Sequence, residues 1–218
     1  MKAVIVASGE PEPSDIRHLS GADLVIAANG GANWLTAAGI SPGWLIGDMD
    51  SVRGNLLGEL EASGTRVERH PTGKDASDLA LAVDRALSLG AEEIVILGAL
   101  RGDRLDHELA NVLLLATPEL MRRRVRIERG STTLRSLAGG GRVELGNAPG
   151  DHVTLLPIGG PAAGVRTKGL RYPLDAETLP LGSSRGLSNE IVVLPAWVQI
   201  DDGVLLVVEE RGRQPNPH

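Results

Sequence analysis

Short apolar segments alternate with helical patterns over the first part of the chain, up to about residue 120. Several of these segments have no polar position, which is typical of strands covered on both faces of a parallel sheet. The predicted strands are residues 3–7, 24–28, 44–46, 66–69 and 94–97. Repeated strand–helix units of this kind predict a parallel sheet with helices on both faces.

Two helical patterns stand out in the same part of the chain. The first covers residues 75–89, with apolar side chains along one face and Gly90 as its stop signal. The second covers residues 105–116, where leucine, valine and alanine recur at helical spacing. Both follow predicted strands, so their first turns are expected at the edge where parallel strands end.

The pattern changes after about residue 125, where strand-like segments are separated by turns rich in Gly and Pro. The predicted strands are residues 125–128, 142–145, 152–156, 164–167, 190–194 and 204–209. No long helix fits there, so the pattern predicts a small antiparallel β-sandwich or barrel. We therefore expect an α/β domain over residues 1–124, a second domain over residues 125–210 and a tail over residues 211–218.

Composition narrows the classes of protein that this chain can belong to. The formal net charge is -6, and the densest basic stretch, residues 122–124, is interpreted as a solvated helix end, so nucleic acid is not an expected partner. The chain has no cysteine, which excludes disulfides and thiolate metal sites. No apolar stretch approaches the ~20 residues that span a bilayer. We expect a cytoplasmic protein with no membrane partner.

Acidic side chains follow three of the predicted strands. The pairs are Asp48 and Asp50, Asp75 and Asp78, and Asp103 and Asp106. Because parallel strands end along one edge, the three pairs are expected to converge on one crevice. Gathered carboxylates repel one another, so a cation is the natural partner. Oxygen ligands without cysteine favour Mg²⁺, which commonly accompanies phosphate groups.

Cationic and glycine-rich segments are predicted at the same edge. The segment 29–33 follows a strand and opens a helix, so its backbone N–H groups could bind an anion. Lys74, Arg101 and Arg104 could neutralise phosphate charge. Phosphoryl transfer requires chiefly positioning, metal and cationic groups, and this set of residues supplies all three.

Each feature also has a structural interpretation. Asp75 could cap the helix that follows it, with Asp78 favourable in the first turn. The segment 48–51 alone is typical of a turn, and glycine pairs are common in loops. His107 on an amphipathic helix is more often structural than catalytic. The placement of all the clusters after strands is the stronger argument.

Five ordered segments resemble the thiamin pyrophosphokinase family. That family typically shows DGGAN, GDFDS, KDxTD and GGRxDHxxxN in this order. The matching segments here are Asn29-Gly-Gly-Ala-Asn33, Gly47-Asp-Met-Asp-Ser51, Lys74-Asp-Ala-Ser-Asp78 and Arg104-Leu-Asp-His107 with Asn111, and the C-terminal half adds Gly186-Leu-Ser-Asn-Glu190. The resemblance covers nearly the whole chain.

The resemblance implies an N-terminal Rossmann-like α/β domain, a C-terminal antiparallel β-sandwich, and a homodimer with active sites at the subunit interface. It implies transfer of a pyrophosphoryl group from ATP to the hydroxyl of thiamin, with Mg²⁺ as cofactor and AMP as the second product.

The family's functional positions transfer to this chain as expectations. The expected metal ligands are Asp48, Asp50, Asp75 and Asp78, and the catalytic group adds Arg104 and Asp106. The expected ATP-binding residues are Asn29, Gly30, Gly31, Asn33, Lys74, Ser77, Arg101 and His107. The expected thiamin-binding residues are Asp106, Ser188 and Asn189. Either Asp75 or Asp106 could orient the attacking hydroxyl.

Departures from the family pattern keep alternatives open. Asn29 replaces the usual Asp and removes one charge, Met49 replaces Phe, and Ser77 replaces Thr while keeping the hydroxyl. A phosphohydrolase with an Asp-x-Asp nucleophile, a non-catalytic nucleotide or thiamin sensor, and a diphosphokinase for a pterin-type acceptor are the rival interpretations.

Overall fold

A computed structural model describes residues 1–146 and 148–212. The chain forms two compact units. Unit 1 contains Met1–Leu114 and Arg122–Gly130, and unit 2 contains Leu115–Met121 and the residues from Ser131 on. Residues 213–218 of the predicted tail lie outside the described residues. None of the helices in residues 1–146 and 148–212 is long and apolar enough to cross a membrane.

Unit 1 has a six-stranded parallel sheet in the order β6-β5-β1-β2-β3-β4. Its strands are β1 (Lys2–Val6), β2 (Leu24–Ala28), β3 (Trp44–Gly47), β4 (Arg66–Arg69), β5 (Glu93–Leu97) and β6 (Arg124–Arg129). A 3-10 helix (Pro13–Leu19) follows β1, and the α-helices are α1 (Gly31–Ala37), α2 (Leu56–Ala62), α3 (Asp78–Ser88) and α4 (Leu105–Leu114). The predicted parallel sheet is confirmed for this unit.

Strand order explains where a ligand can enter unit 1. The chain runs outward from β1 to β4, then returns to the other side of β1 with β5. The central strands are buried at nearly every position, with Val4, Ile26 and Val95 completely enclosed. A parallel sheet whose order reverses in this way leaves a crevice at the carboxyl ends of its central strands.

The start of one predicted helix and the placement of one predicted strand differ from the structure. Helix α3 begins at Asp78 because Ser77 is its N-cap, with the Ser77 hydroxyl accepting from the Ala80 N–H at 3.1 Å. Asp75 therefore precedes the helix and does not cap it. The predicted strand 125–128 belongs to β6, which pairs in parallel with β5.

Unit 2 consists of two antiparallel sheets, in the orders β12-β9-β14-β7 and β11-β10-β13-β8. A short helix, α5 (Pro118–Met121), precedes them. The strands are β7 (Thr132–Ala138), β8 (Arg142–Glu144), β9 (His152–Pro157), β10 (Ala162–Lys168), β11 (Glu177–Leu179), β12 (Asn189–Glu190), β13 (Trp197–Gln199) and β14 (Val204–Glu210). Buried Leu, Val, Ile and Ala side chains from both sheets form one core.

Candidate active site

The loop after β2 places Asn29 at the carboxyl edge of the unit 1 sheet. Its backbone N–H donates to the Ile46 carbonyl of β3 at 2.8 Å, which ties the two strand ends together. Its φ of 46° lies in the left-handed region, where asparagine is tolerated better than most residues. The Asn29 side chain is thereby turned into the sheet edge, and the residue is only 4% exposed.

Three carboxylates converge on the Asn29 side chain. Its Nδ2 atom lies 2.9 Å from Asp48 Oδ1, 2.9 Å from Asp50 Oδ1 and 3.0 Å from Asp78 Oδ2. Asp48 and Asp50 follow β3, whereas Asp78 opens α3. The predicted convergence is therefore found for one complete acidic pair and for Asp78 of the second pair, and an amide group lies at its centre.

Hydrogen bonds stabilise the ionised form of Asp50. The bond from Asn29, followed by the 2.8 Å bond from the Ser51 hydroxyl, holds the pKa of Asp50 below its ordinary value. The Asp50 N–H in turn donates to Asp48 Oδ1 at 3.3 Å. The loop is thus set up to present charged carboxylates at neutral pH.

Lys74 supplies the positive charge beside these carboxylates. Its Nζ atom lies 2.8 Å from Asp78 Oδ1 and 3.5 Å from Asp48 Oδ2. Burial works against the ammonium charge, but the hydrogen bond and charge of Asp78 outweigh it and raise the pKa of Lys74 above its ordinary value. Lys74 therefore links the end of β3 to the start of α3.

A cleft of about 1160 Å³ opens above this cluster within unit 1. The predicted site residues that line it are Asn29, Gly30, Asn33, Asp48, Asp50, Lys74, Asp75, Ser77, Asp78, Arg104 and His107. Gly31, Arg101 and Asp106 lie outside this lining. Gly31 begins α1 instead, and a Cβ there would come within 1.9 Å of the Val6 carbonyl oxygen.

Arg104 and Asp106 form an ion pair with each other at the start of α4. Arg104 Nε lies 3.1 Å from Asp106 Oδ1, and both side chains are 64% exposed. The hydrogen bond from Arg104 lowers the pKa of Asp106, and the same bond raises the pKa of Arg104. Arg101 is exposed nearby, with a left-handed φ of 58°.

Asn33 shapes the cleft by holding a loop. Its amide donates to the Ser51 carbonyl at 2.8 Å and accepts from the Arg53 N–H at 3.0 Å. Both polar atoms of the Asn33 side-chain amide are therefore bonded to the segment between β3 and α2. In this structure Asn33 fixes the loop that carries Asp50 and Ser51.

Sequence reasoning missed several residues that line the cleft, including Ser8, Gly9, Ser51 and Arg53. The Gly9 N–H donates to the Gly98 carbonyl at 2.8 Å, and a Cβ on Gly9 would lie 2.5 Å from that oxygen. The signal was present, because Ser8-Gly9 follows the first strand just as the acidic pairs follow theirs. No role was predicted for this turn.

The predicted thiamin-binding pair, Ser188 and Asn189, lies in unit 2. Asn189 is buried, and its amide accepts from the Tyr172 N–H at 3.0 Å and donates to the Tyr172 carbonyl at 2.7 Å. Ser188 is exposed with a φ of 53°, and its N–H donates to Thr154 Oγ1 at 3.0 Å. Asn189 fixes the backbone of Tyr172, whereas Ser188 is exposed.

The carboxylates of the cluster are not oriented toward a common metal position. Within residues 1–146 and 148–212, no group of three His, Cys, Asp or Glu side chains has the geometry to hold a metal ion. The physical reason is visible in the contacts above, because the oxygens of Asp48, Asp50 and Asp78 point at the nitrogens of Asn29 and Lys74. The donor chemistry still suits Mg²⁺, which prefers carboxylate oxygens.

Family models cover both parts of the chain. One described as thiamin pyrophosphokinase, catalytic domain, matches residues 17–128. The chain belongs to the thiamin pyrophosphokinase family. A second model, described as thiamin pyrophosphokinase, vitamin B1 binding domain, matches residues 142–205. The predicted family resemblance is thereby confirmed.

Individual relatives agree with this family membership. Thiamine pyrophosphokinase of Bacillus subtilis (strain 168) is 25% identical over 211 residues, covering 95% of this chain and 98% of the relative. Thiamine pyrophosphokinase 1 of Oryza sativa subsp. japonica is 30% identical over 177 residues, covering 78% and 67%.

Solved structures show the same fold. The crystal structure of thiamine pyrophosphokinase from Bacillus subtilis superimposes with a TM-score of 0.87 at 25% identity, covering 97% of this chain and 100% of that one. That of thiamin pyrophosphokinase from Geobacillus thermodenitrificans gives 0.84 at 26% identity, with coverage of 98% and 99%.

Proposed function

We propose that this protein transfers the pyrophosphoryl group of ATP to the hydroxyl of thiamin, releasing AMP and thiamin diphosphate. The observation that carries the proposal is the convergence of Asp48, Asp50, Asp78 and Lys74 on one cleft, in a chain that matches both family models. Attack of the thiamin oxygen on the β-phosphorus forms the new P–O bond. The bond from that phosphorus to the α-phosphate oxygen breaks, and the hydroxyl proton is lost.

Mg²⁺ is the cofactor that the cluster would hold, through Asp48, Asp50 and Asp78. When bound, it would offset the negative charge of the phosphate groups during transfer. Asp75 lines the cleft but is exposed and takes no part in the bonds to Asn29, so we assign it a different task. Lys74 and Arg104 line the same cleft and supply fixed positive charge for the phosphates.

The glycine-rich loop contributes less to anion binding than its sequence suggests. Helix α1 has seven residues, and the N–H groups of Ala32 and Asn33 already donate to Asn29 and Gly30 carbonyls at 3.1 and 3.0 Å. We propose that the loop's main part is to place Asn29 and to leave open space for ATP. Gly30 and His107 line that space.

Asp75 is a better candidate than Asp106 for the carboxylate that orients the thiamin hydroxyl. Both oxygens of Asp106 receive hydrogen bonds from Arg104, which lowers its pKa and weakens it as a proton acceptor. Asp75 is exposed within the lining of the cleft. We propose that Asp75 orients the thiamin hydroxyl and accepts its proton. Thiamin is cationic, so a cleft rich in carboxylates also favours its approach.

We further propose a homodimer in which the sheets of unit 2 form a β-sandwich and Ser188 approaches thiamin in the partner's site. The shared core of the two sheets supports the sandwich. Helix α4 supports the dimer, because Leu105, Leu109 and Leu113 share one face and are 56–70% exposed. A row of exposed leucines is typical of a face that a second copy covers.

The cytoplasmic location remains a prediction from sequence.

One incubation tests the reaction. The protein is mixed with ATP, Mg²⁺ and thiamin, and the nucleotide and thiamin products are separated by chromatography. We expect AMP and thiamin diphosphate in equal amounts, and neither in the presence of EDTA. ADP with thiamin monophosphate would exclude pyrophosphoryl transfer. Product from a pterin-type acceptor alone, or phosphate released from simple esters, would favour the rival functions.

Matched carboxylate variants locate the chemistry. Asp50→Asn preserves the shape of the side chain but removes the charge that Asn29 and Ser51 stabilise. We expect its turnover to fall on the order of a hundredfold. Asp84→Asn on the exposed side of α3 is the control and should retain full activity. Equal activity in both variants would contradict the assignment of the cluster.

A further inference from the structure

The Asn29 amide nitrogen has more carboxylate neighbours than it has hydrogens. Three oxygens, from Asp48, Asp50 and Asp78, lie 2.9 to 3.0 Å from Nδ2, which carries two hydrogens. Asn29 is only 4% exposed, so water has little access to its amide nitrogen. One amide group therefore joins the loop after β3 to the start of α3.

Without a donor at this position the three carboxylates would face one another. Like charges in a partly buried cluster repel, and either a cation or hydrogen-bond donors must offset the repulsion. Here the donors are Asn29 Nδ2 and the Lys74 ammonium group. An aspartate at residue 29 would supply no donor and would add a fourth negative charge.

We propose that Asn29 is a positioning residue: its amide holds the carboxylate cluster assembled without a cation, and a divalent cation must compete with it for the same oxygens. The identity of the cation rests on the proposed function, but the competition does not. Two consequences follow. The fold of unit 1 depends little on a bound cation, and the cation binds more weakly than it would with aspartate at this position.

The backbone at residue 29 determines which substitutions are informative. Its φ of 46° is tolerated by asparagine, aspartate and glycine, so Asn29→Asp and Asn29→Gly add little backbone strain. Asn29→Asp removes the donor and adds a charge. Asn29→Gly removes the donor without adding a charge, and it also removes the Oδ1 atom that accepts from the Ser51 N–H at 3.3 Å. Asn55→Asp is the matched control, because Asn55 is exposed before α2 and makes no side-chain cap bond.

Thermal unfolding of the full chain tests the first consequence. In EDTA we expect the Asp and Gly variants to unfold at least about 3 °C below wild type, with Asp the lower of the two. Saturating Mg²⁺ should raise the Tm of Asn29→Asp far more than that of wild type. Asn55→Asp should follow wild type in both conditions. Equal Tm values for all four proteins in EDTA would overturn the proposal.

Binding of Mn²⁺, followed by its electron paramagnetic resonance signal, tests the second consequence without any turnover. We expect Asn29→Asp to bind Mn²⁺ at least tenfold more tightly than wild type, about 1.4 kcal/mol. Asn29→Gly should bind at least as tightly as wild type, because a competitor has been removed. Weaker binding by Asn29→Gly would show that the amide assists the cation, which overturns the proposal.

The two hypotheses fail in different ways. If wild type makes thiamin diphosphate with Mg²⁺ but all variants bind Mn²⁺ equally, the role of Asn29 is wrong and the proposed function stands. If the order of Mn²⁺ affinities is as expected but no thiamin diphosphate forms, the proposed function is wrong and the role of Asn29 stands.

Discussion

Gly47 and Asp78 are packed so closely that a side chain at Gly47 would crowd the Asp78 carboxyl group. A Cβ on Gly47 would lie 3.0 Å from both the carboxyl carbon and Oδ1 of Asp78, and 3.0 Å from the Cβ of Asn29. The Gly47 φ of 147° is also one that side chains rarely adopt. The absence of a side chain at Gly47 therefore allows the start of α3 to reach the loop after β3.

Gly47→Ala is expected to separate these two segments. Backbone strain at this φ should destabilise the protein by roughly 1–3 kcal/mol in urea unfolding, and the displaced Asp78 should lower turnover as well. Gly58→Ala is the control, because Gly58 lies within α2 and a methyl group there would meet no atom outside its own helix within 4 Å. It should stabilise the protein by roughly 0.5–1 kcal/mol. A neutral Gly47→Ala variant would show that the segments have room to move.

The residues at the carboxyl edge of the sheet could be predicted because they directly follow the strands in sequence. Apolar runs such as β1, β2 and β5 predict buried parallel strands, and acidic residues directly after β3 must then lie at their carboxyl ends. The same reasoning predicted that Asp48, Asp50 and Asp78 converge. It did not predict Asn29 at the centre, because that depends on a left-handed φ and on side-chain contacts across 49 positions in sequence.

Other elements carry too weak a pattern to be predicted. Strand β7 (Thr132–Ala138) interrupts its apolar alternation with polar positions on both faces, so no strand was predicted there. Residues 124–129 have the alternating pattern of any half-buried strand. Their pairing with β5 is what places them in the parallel sheet. The task of Asn33 likewise depends on contacts with Ser51 and Arg53, which the resemblance alone could not reveal.

Arg104 and Arg101 were both expected to meet phosphate, and the structure separates them. Arg104 lines the cleft, whereas Arg101 lies outside the lining. We expect Arg104→Ala to lower turnover on the order of a hundredfold, because a cationic partner of the phosphates is lost. Arg101→Ala should have a much smaller effect.

Steady-state kinetics on both variants, with Tm as the control, tests this distinction. Arg104 is largely exposed, so its removal should leave the Tm nearly unchanged. An equal loss in both variants would show that Arg101 reaches the nucleotide when it binds. A large fall in Tm for Arg104→Ala would mean that the residue supports the fold instead.

Glu68 on β4 makes the stability of unit 1 sensitive to acid. Its Oε2 accepts from Arg85 at 2.6 and 2.8 Å, and its Oε1 lies 2.9 Å from His70 Nε2. Burial opposes the charge of Glu68, but the bonds from Arg85 and His70 outweigh it and hold its pKa below the ordinary 4.5. Such a group stabilises the fold above its unfolded pKa, and the contribution disappears as pH falls through the folded pKa.

Glu68→Gln is therefore expected to destabilise the protein by about 0.5–1 kcal/mol at neutral pH. The difference from wild type should persist down to pH 4.5 and shrink as pH falls further. Urea unfolding at a series of pH values measures it. Glu59→Gln on the exposed side of α2 is the control and should differ little from wild type throughout. A Glu68→Gln difference that is independent of pH would point to packing and not to charge.

Subunit complementation tests whether unit 2 of one chain completes the site of another. Asp50 belongs to unit 1 and Ser188 to unit 2. Asp50→Asn removes a carboxylate of the cluster, and Ser188→Gly removes the hydroxyl while suiting the φ of 53°. We expect each variant alone to be nearly inactive. In a mixed dimer, one site would then carry both lesions and the other site would carry none.

Equal amounts of the two variants, mixed under conditions that allow subunits to exchange, should recover about a quarter of wild-type activity, since random pairing makes half of the dimers mixed and each mixed dimer has one intact site. Light scattering must show a dimer, and differently tagged subunits must show that exchange occurred. A control mixture of Asp50→Asn with Asp48→Asn should recover nothing, because both lesions lie in unit 1. Proven exchange without recovery, or a monomer that is active by itself, would mean that each chain builds its site alone.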